Sequence, residues 1–385
     1  SRQSSYHGTC LLRPKQTPIS NTEMQAKVKK WIVQLASGAN VATILVMLAV
    51  GYSDRLNPAS HPLMATLGLT FPVFLAINAA FLVFWAFFKL RRTLIPLVGF
   101  VACFGPVRTY IPLNVNSNPT DSCLKVLSYN TFMWGGGEAT EPQRWEMLNY
   151  VKEKDADILC LQEANLGGKF QATIDSLLNS IYPYHDIKEK TTIYDRLAIY
   201  SKYPIVRSER VMYPHSEDFS QACWVAMPGD TVLVVNNHFA TTGLTEAQRK
   251  EFKSMLKGDL RTKQMPSLGK SLVHKLGEYA KIRAPQVECV AQFVRKHKGQ
   301  SIILCGDFND SPISYAHRCM AKELTDCYVA SGNGPGISYH RNAFYVRIDN
   351  IMCSDDWQPL KCVVENKVKT SDHYPIFCLL QKLRK

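Results

Sequence analysis

The sequence predicts a mixed α/β domain that follows a set of apolar N-terminal helices. Two stretches, Trp31 to Ser53 and Leu56 to Phe88, contain no Asp, Glu, Lys or Arg, and a helix needs about 20 apolar residues to cross a bilayer. From Leu124 onward, short β-rich runs alternate with amphipathic stretches, which is the pattern of strands and helices in one domain. With 46% hydrophobic residues over 385 positions, the chain is neither disordered nor a small disulfide scaffold.

The net charge of +13 is concentrated near the N-terminus. Residues 1–120 contribute +9 of this charge and the remaining residues contribute only +4. Basic residues beside apolar segments are expected from the rules of membrane topology. The excess therefore does not by itself indicate a protein that binds nucleic acid.

The N-terminal part is predicted to consist of a tail at residues 1–30 and a membrane anchor at residues 31–113. The anchor is expected to hold about three helices, at residues 31–52, 63–88 and 94–113. The third helix is the weakest, because its apolar part is short and is interrupted by Pro96, Gly99, Pro106 and Arg108. A re-entrant or interfacial segment is the alternative for this stretch.

Basic residues flank the first two helices on one side of the predicted membrane. They are Lys27, Lys29 and Lys30 before the first helix and Lys89, Arg91 and Arg92 after the second. By the positive-inside rule this side is the cytoplasm, and a third span carries everything after it to the opposite face. In a bacterium, this predicts a multi-pass protein of the inner membrane whose large domain lies in the periplasm.

A linker at residues 114–122 leads to the α/β domain at residues 123–385. The predicted strands are residues 124–129, 158–162, 197–201, 231–236, 301–305, 347–352 and 374–380. The predicted helices are residues 142–154, 168–180 and 285–298. Periodicity alone gives no more than a mixed α/β class.

The cysteines predict neither a metal site nor a disulfide framework. Cys160, Cys305 and Cys378 lie inside apolar runs, where a thiol usually acts as a small buried hydrophobic group. The sequence contains no Cys-x-x-Cys pair and no zinc-ligand spacing.

Polar residues recur where the predicted strands end. Asn130 and Glu163 follow the first two strands, His238 follows the strand at 231–236, and Gly-Asp-Phe-Asn at 306–309 follows the strand at 301–305. Asp349 lies in the predicted strand at 347–352, and Ser-Asp-His at 371–373 comes just before the last predicted strand. Each residue alone has a structural explanation, such as a turn, a helix cap or a buried histidine. The whole set in this order is far more specific.

In that order, the residues resemble the motifs of the endonuclease/exonuclease/phosphatase superfamily. The motifs that carry the resemblance are Leu-Gln-Glu at 161–163, Gly-Asp-Phe-Asn-Asp at 306–310 and Ser-Asp-His-Tyr-Pro-Ile at 371–376. The superfamily includes pancreatic-type deoxyribonucleases, apurinic endonucleases, neutral sphingomyelinases and inositol-polyphosphate phosphatases. The resemblance implies a four-layer sandwich of two mainly antiparallel sheets flanked by helices. Residues before 120 resemble, more loosely, the membrane anchor of some bacterial members.

The resemblance also implies a hydrolase that uses Mg²⁺ or Mn²⁺. Glu163 would be the principal metal ligand, with Asn130 beside it and Asp372 supporting the same site. Oxygen ligands of this kind suit Mg²⁺, and a bound cation stabilises the charge of a five-coordinate phosphate. Phe132 stands where some members have another carboxylate, so a single-metal site is expected.

The remaining residues of the set are assigned to catalysis by the same resemblance. Asp307 would orient or deprotonate the attacking water, and Asn309 and His238 would donate hydrogen bonds to phosphate oxygens. His373 would be the second titratable group, oriented by Asp349.

Two arginines are candidates for substrate contact. Arg196 lies at the start of a predicted strand, and a salt bridge with Asp195 or Glu189 is its alternative. Arg283 ends a basic segment, Arg249–Arg283, whose alternative is a solvated helical insertion.

These observations predict a membrane-anchored phosphoesterase that hydrolyses a phosphodiester by in-line attack of water. Its expected partners are the lipid bilayer and a phosphoester substrate, and no protein partner is predicted. Nucleic acid, a phospholipid head group and another small phosphoester all remain open as substrates, because function resides in loops at the edge of the site. A catalytically silent binding domain on the same scaffold is the alternative.

Overall fold

The computed structural model describes residues 21–115, 123–189, 196–256, 265–342 and 344–383. The apolar N-terminal sequence forms helices α1 (Asn21–Gly51), α2 (Pro62–Ala65), α3 (Phe71–Phe88), α4 (Leu94–Ala102) and α5 (Phe104–Tyr110). Short 3₁₀ turns lie between them at Ser53–Arg55, Thr66–Thr70 and Leu90–Thr93. We call residues 53–70, which join the first long helix to the second, the connector.

Two of these segments are long and apolar enough to cross a membrane, at Asn21–Arg55 and Pro62–Phe88. Many of their large apolar side chains point outward, among them Trp31, Leu35 and Phe87. The third predicted helix is instead two helices, α4 and α5, that meet at an angle of 74°. Pro106 lies near the start of α5, where a proline is tolerated because the first helical N–H groups have no partner within the helix.

A buried polar network holds α1 against α3. The Asn40 side-chain amide donates to Asn78 Oδ1 at 3.1 Å, and the Trp85 indole donates to Asn40 Oδ1 at 3.2 Å. Thr43 Oγ1 donates to the same Asn78 oxygen at 3.2 Å. In an apolar environment such side chains join helices, because an unpaired polar group is costly there.

The α/β domain contains two six-stranded sheets. In chain order its elements are β1 (Leu124–Asn130), α6 (Phe132–Gly135), α7 (Glu141–Lys154), β2 (Ile158–Gln162), α8 (Gly168–Ile181), β3 (Tyr184–Glu189), β4 (Arg196–Ser201), β5 (Ile205–Met212), β6 (Phe219–Met227), β7 (Asp230–His238), α9 (Glu246–Leu256), α10 (Met265–Lys296), β8 (Ser301–Asp307), α11 (Tyr315–Ala321), β9 (Thr325–Asp326), α12 (Cys327–Ser331), β10 (Asp349–Cys353), β11 (Trp357–Val364) and β12 (Ile376–Lys382). The strand orders are β11-β12-β1-β2-β4-β3 and β5-β6-β7-β8-β10-β9.

The sheets pack face to face, and helices cover their outer faces. A core between the sheets joins Val126 and Ile158 of the first sheet to Val234 and Ile303 of the second. Helices α7 and α8 pack on the outer face of the first sheet, and α10 and α11 pack on the second. Apart from two parallel pairs, β1 with β2 and β7 with β8, the paired strands are antiparallel. The predicted four-layer sandwich is confirmed.

Several elements differ from the sequence prediction. Strands β3, β5, β6, β9 and β11 were not predicted. Strands β3 and β5 carry charged side chains and are largely exposed, β9 is two residues long, and polar residues or a proline interrupt the apolar sequences of β6 and β11. Helix α10 is 32 residues long and runs through Pro285, whereas the prediction begins the helix at that proline. The three cysteines predicted to act as hydrophobic groups, Cys160, Cys305 and Cys378, are buried free thiols in the core between the sheets.

The N-terminal helices and the α/β domain share a small core. Ile313, six residues after the end of β8, is buried among Met47, Val50 and Phe71 of the N-terminal helices. Gly68 of the connector lies so close to the same residue that an added Cβ would be 1.8 Å from the Ile313 carbonyl oxygen. The Asn57 side chain donates to Glu288 Oε1 at 2.9 Å. The connector is therefore packed directly on the α/β domain.

Candidate active site

The two parallel strand pairs bring the predicted residues to one edge of the sandwich. Parallel neighbours end at the same edge of a sheet, so Asn130 at the end of β1 lies opposite Gln162 at the end of β2, one residue before Glu163. In the second sheet, His238 lies opposite Asp307, which lies opposite Asp349 on the antiparallel strand β10. The register of the sheets thus brings together residues that are far apart in the sequence.

The backbone at this edge is bent into the left-handed region. Glu163 has a φ of 48° and Asn309 a φ of 52°, and the consecutive residues Phe132, Met133 and Trp134 have φ values of 48°, 51° and 57°. Residues other than glycine occupy this region at a cost of about 1–3 kcal/mol each. Hydrogen bonds from Thr131 N to Gln162 O at 3.0 Å and from Met133 N to Glu163 O at 2.9 Å stabilise the bend.

Asn130 connects the two sheets at the centre of the site. Its side-chain amide donates to Glu163 Oε1 and to Asp307 Oδ2, both at 3.1 Å. His238 Nε2 lies 3.5 Å from Glu163 Oε1 and 3.8 Å from Asp307 Oδ2. These contacts therefore join four of the predicted residues in one cluster: Asn130, Glu163, His238 and Asp307.

His373 lies between two buried carboxylates. Its Nδ1 contacts Asp349 Oδ2 at 2.8 Å, and its Nε2 is 3.7 Å from Asp307 Oδ2. Burial lowers the pKa of His373, but the carboxylates of Asp349 and Asp307 outweigh this effect and raise the pKa to about 10. The imidazole is therefore held as a cation near neutral pH.

Asp307 is almost fully buried, and its carboxylate is held in one orientation. Burial raises the pKa of Asp307 to about 6, and the Asp349 carboxylate adds to the rise while His373 and His238 oppose it. The backbone N–H of Asn309 donates to Asp307 Oδ1 at 2.7 Å. The side chain of Asn309 donates to Phe239 O at 3.0 Å, so as oriented its amide nitrogen is engaged with the backbone.

The donor set fits a hard divalent cation. Glu163 and Asp372 line the same cavity, and the buried Asp372 Oδ1 has no hydrogen-bond partner among the described residues. Buried polar atoms without a partner are rare and indicate a missing ligand or a functional role. The Asn130 oxygen accepts from Phe132 N at 3.0 Å, so ligation by Asn130 requires its amide to turn. Asp307, Asp349 and His373 also lie close enough together to hold a metal, but the hydrogen bond of His373 Nδ1 to Asp349 explains their proximity.

The two predicted substrate arginines differ in location. Arg283 is buried in the cavity wall, where it contacts Asp310 Oδ2 at 3.0 Å and donates to Ala240 O at 2.7 Å. Arg196 contacts Glu189 at 2.7 Å and is not among the described residues that line the cavity. Its salt bridge with Glu189 is one of the two expected alternatives, and Asp195 lies outside the described residues.

The cavity at this edge has a volume of about 260 Å³. Two of its residues, Arg249 and Tyr339, were not predicted as site residues. The Arg249 guanidinium donates to the Tyr339 hydroxyl, and the Tyr339 ring contacts the His373 ring edge to face at 5.1 Å. Arg249 begins the basic segment that the sequence analysis identified, whereas no motif marks Tyr339. The middle of that segment, residues 257–264, lies outside the described residues.

The sequence matches known families over most of its length, although no curated protein sequence is significantly similar to it. Residues 31–110 match a domain of unknown function (DUF8431), and residues 113–373 match the Endonuclease/Exonuclease/phosphatase family.

Solved structures of low sequence identity are similar to the chain. Truncated TDP2 from Caenorhabditis elegans is 16% identical, with a TM-score of 0.46, and the match covers 68% of this chain and 99% of that one. The catalytic domain of human Nocturnin with a bound sulfate is 16% identical, with a TM-score of 0.48 and coverages of 70% and 96%. A family protein from Leptotrichia buccalis C-1013-b is 14% identical, with a TM-score of 0.48 and coverages of 67% and 99%. The family match, which spans more than half of the sequence, is decisive: the chain belongs to the Endonuclease/Exonuclease/phosphatase family.

Proposed function

We propose that this protein is a membrane-anchored phosphoesterase that uses a divalent cation to hydrolyse a phosphodiester. The family consists generally of phosphoester hydrolases. The observation that carries the proposal is the position of His373 between Asp349 and Asp307 at the wall of a cavity that also contains Glu163 and Asp372. A silent binding domain has no need to keep these titratable groups buried together.

In the proposed reaction, Asp307 accepts a proton from a water molecule as the water oxygen forms a bond to phosphorus. The bond from phosphorus to the leaving oxygen breaks on the opposite side, and that oxygen takes a proton from solvent to become an alcohol. Asp307 then returns its proton to solvent. The raised pKa of Asp307 supports this role, because a general base works best when its pKa is near the working pH.

The two histidines stabilise the phosphate in this scheme. His373, a cation oriented by Asp349, donates from Nε2 to a phosphoryl oxygen, and His238 does the same from the other side of Asp307. Donors fixed before the reaction stabilise charge without a cost of reorganisation. Glu163 and Asp372, with Asn130 after its amide turns, would hold a divalent cation, which would further stabilise negative charge on the phosphate.

The arrangement of the N-terminal helices supports the predicted topology. Arg92 contacts the Val33 carbonyl and the Ser37 hydroxyl, which lie one to two helical turns after Lys30 in α1. The basic residues after α3 therefore lie closer to the basic start of α1 than to its end at Gly51. The connector lies at the other end and packs on the α/β domain. With the basic end in the cytoplasm, the catalytic domain is on the outer face of the membrane, which is the periplasm in a bacterium.

A metal-titrated assay of the full chain with bis-p-nitrophenyl phosphate tests the proposal. We expect hydrolysis that disappears with EDTA and returns when Mg²⁺ or Mn²⁺ is added. Glu163→Ala removes a proposed metal ligand. The matched control is Glu189→Ala, which removes a carboxylate that pairs with Arg196 away from the cavity. Full activity of Glu163→Ala in excess EDTA would exclude the metal-dependent mechanism, and no hydrolysis by the folded wild type with either metal would favour a binding domain.

A further inference from the structure

The active-site cavity has a wall that comes from the N-terminal helices. Ala65, Thr66 and Leu69 of the connector line the same cavity as Glu163 and Asp307. The candidate catalytic residues thus face residues at the start of Pro62–Phe88, the second segment that is long and apolar enough to cross a membrane. The anchor is part of the site.

Close packing keeps this wall in position. Ile313, buried within the core of the N-terminal helices, follows the Gly-Asp-Phe-Asn-Asp motif by three residues, and Gly68 approaches its carbonyl so closely that no side chain fits. On the other side, an added Cβ at Gly277 of α10 would lie 3.0 Å from the Pro62 carbonyl oxygen. The connector is fixed at both the motif and the helix, so Leu69 stays at the cavity.

The two sides of the site differ in chemistry. Toward the connector, the cavity wall is formed largely by apolar side chains such as Leu69, Leu276 and Ala280. A second cavity of about 670 Å³ is lined by polar groups and by charged groups of both signs, which include Lys253, Arg341 and Lys369 as well as Glu138 and Glu246. Phe132 and Asp372 line both cavities.

A phosphodiester bound where the two cavities meet would therefore have apolar side chains on one side and polar side chains on the other. With its phosphate beside Asp372, which both cavities share, one ester arm would extend along the connector and the other would extend into the polar cavity. A bilayer lipid has this division, with hydrocarbon on one side of its phosphate and a polar head group on the other. A nucleic-acid strand carries polar sugars on both sides, and the apolar wall gives it nothing to bind.

We infer that the substrate is a lipid phosphodiester from the bilayer in which the protein is anchored, and that the connector binds its apolar part through Leu69. This inference rests on the proposed hydrolytic function and names the substrate class for the same site. The connector enters the membrane at both of its ends, so a lipid reaches the cavity along the anchor without leaving the bilayer surface.

A pair of substrates with one leaving group tests the inference. The full chain is assayed with p-nitrophenyl methyl phosphate and p-nitrophenyl octyl phosphate, both below the micellar concentration and with Mg²⁺ or Mn²⁺. We expect kcat/KM for the octyl ester to exceed that for the methyl ester by about tenfold or more, because an apolar pocket discriminates by the methylenes it buries. Equal kcat/KM values for the two esters would overturn the inference. Hydrolysis of the methyl ester would still support the proposed function in that case. Failure to cleave either ester counts against the proposed function itself.

Variants of the connector locate the effect. Leu69→Gln should reduce the octyl-to-methyl ratio by about fivefold or more, and Leu69→Met should preserve the ratio. The control is Leu63→Gln, because Leu63 is a connector residue that is 52% exposed and does not appear among the described cavity residues, whereas Leu69 is 39% exposed. An unchanged ratio in Leu69→Gln would contradict the assigned role. A single-stranded oligodeoxynucleotide cleaved more efficiently than the octyl ester would identify the substrate as nucleic acid instead.

Discussion

The domain contains two buried His–Asp pairs with nearly the same geometry and different surroundings. In the candidate active site, His373 contacts Asp349 at 2.8 Å, and near the N-terminal helices His317 contacts Asp326 at 2.7 Å. Both histidines are 4% exposed. Neither the distance nor the burial distinguishes them.

The partners of the carboxylates do distinguish the two pairs. Asp326 caps α12 by accepting from the backbone N–H groups of Tyr328 at 2.7 Å and Val329 at 3.0 Å. Its neighbour Arg347 donates to the Thr109 carbonyl of α5, so the pair helps to hold the α/β domain against the N-terminal helices. In contrast, the buried Asp349 Oδ1 has no hydrogen-bond partner within the described part of the chain.

The surroundings of the two imidazole rings differ as well. His373 Nε2 faces Asp307 and the cavity, whereas the described residues that line the cavity do not include His317. A buried His–Asp pair is therefore not a catalytic signature in itself. The group across the ring and access to a cavity decide what the pair does.

Among the changes predicted for the two pairs, replacing His373 by alanine should reduce kcat the most. The His373→Ala variant should lose a factor of about a hundred or more in kcat toward bis-p-nitrophenyl phosphate, because it removes the cationic donor beside Asp307. The measurement is steady-state kinetics, with circular dichroism to verify folding. A folded variant with wild-type kcat would show that His373 has no catalytic role. Its pair with Asp349 would then be structural, like the pair of His317 with Asp326.

Glu163→Ala should cause a loss of similar size through a different route. The change removes the carboxylate that accepts from Asn130 and lines the cavity, so we expect weaker cation binding and a kcat lower by about a hundredfold. Isothermal titration with Mn²⁺ measures the affinity independently of turnover. Unchanged Mn²⁺ affinity would show that the cation, if bound, lies elsewhere.

His317→Ala should change stability rather than activity. The change leaves the buried Asp326 without its imidazole partner, which typically costs about 1–3 kcal/mol. Thermal unfolding of the solubilised full chain measures the loss, and kcat should stay within about twofold of the wild type. A hundredfold loss of kcat with an unchanged unfolding temperature would contradict the structural role given to this pair.

The smallest expected effect concerns acid stability. Burial alone raises the pKa of Asp326, but hydrogen bonding to His317 and the charge of Arg347 outweigh it and hold the pKa below its ordinary value. A lowered pKa contributes stability above the unfolded value of about 4, and this contribution is lost as the pH falls below it. The Asp326→Asn variant should therefore lose less stability than the wild type between about pH 5 and pH 3. Parallel curves for the two proteins would contradict this assignment.

Much of the site was predictable because its residues are confined to strand ends. Asn130, His238 and Asp307 end buried strands whose apolar sequences are clear, and the resemblance to known motifs supplied the rest. Arg249 and Tyr339 were not predictable as a pair, since a long-range contact between residues in irregular surroundings leaves no periodic signal.

The packing of the connector on the α/β domain was also invisible in the sequence. Residues 63–69 belong to a segment, Pro62–Phe88, that is long and apolar enough to cross a membrane, yet they form α2 and a 3₁₀ turn before α3 begins at Phe71. Hydropathy measures how apolar a segment is and does not say whether lipid or protein surrounds it. The contact of Gly68 with Ile313 depends on the complete fold.

The burial of Ile313 among the N-terminal helices has a practical consequence for protein production. A fragment that starts at Leu124 would present Ile313 and the surface around it to water. Exposed apolar surface of this kind promotes aggregation, so such a fragment is expected to be poorly soluble although both of its sheets are complete. Expression of the whole chain in detergent or nanodiscs, with residues 21–115 retained, keeps this surface covered.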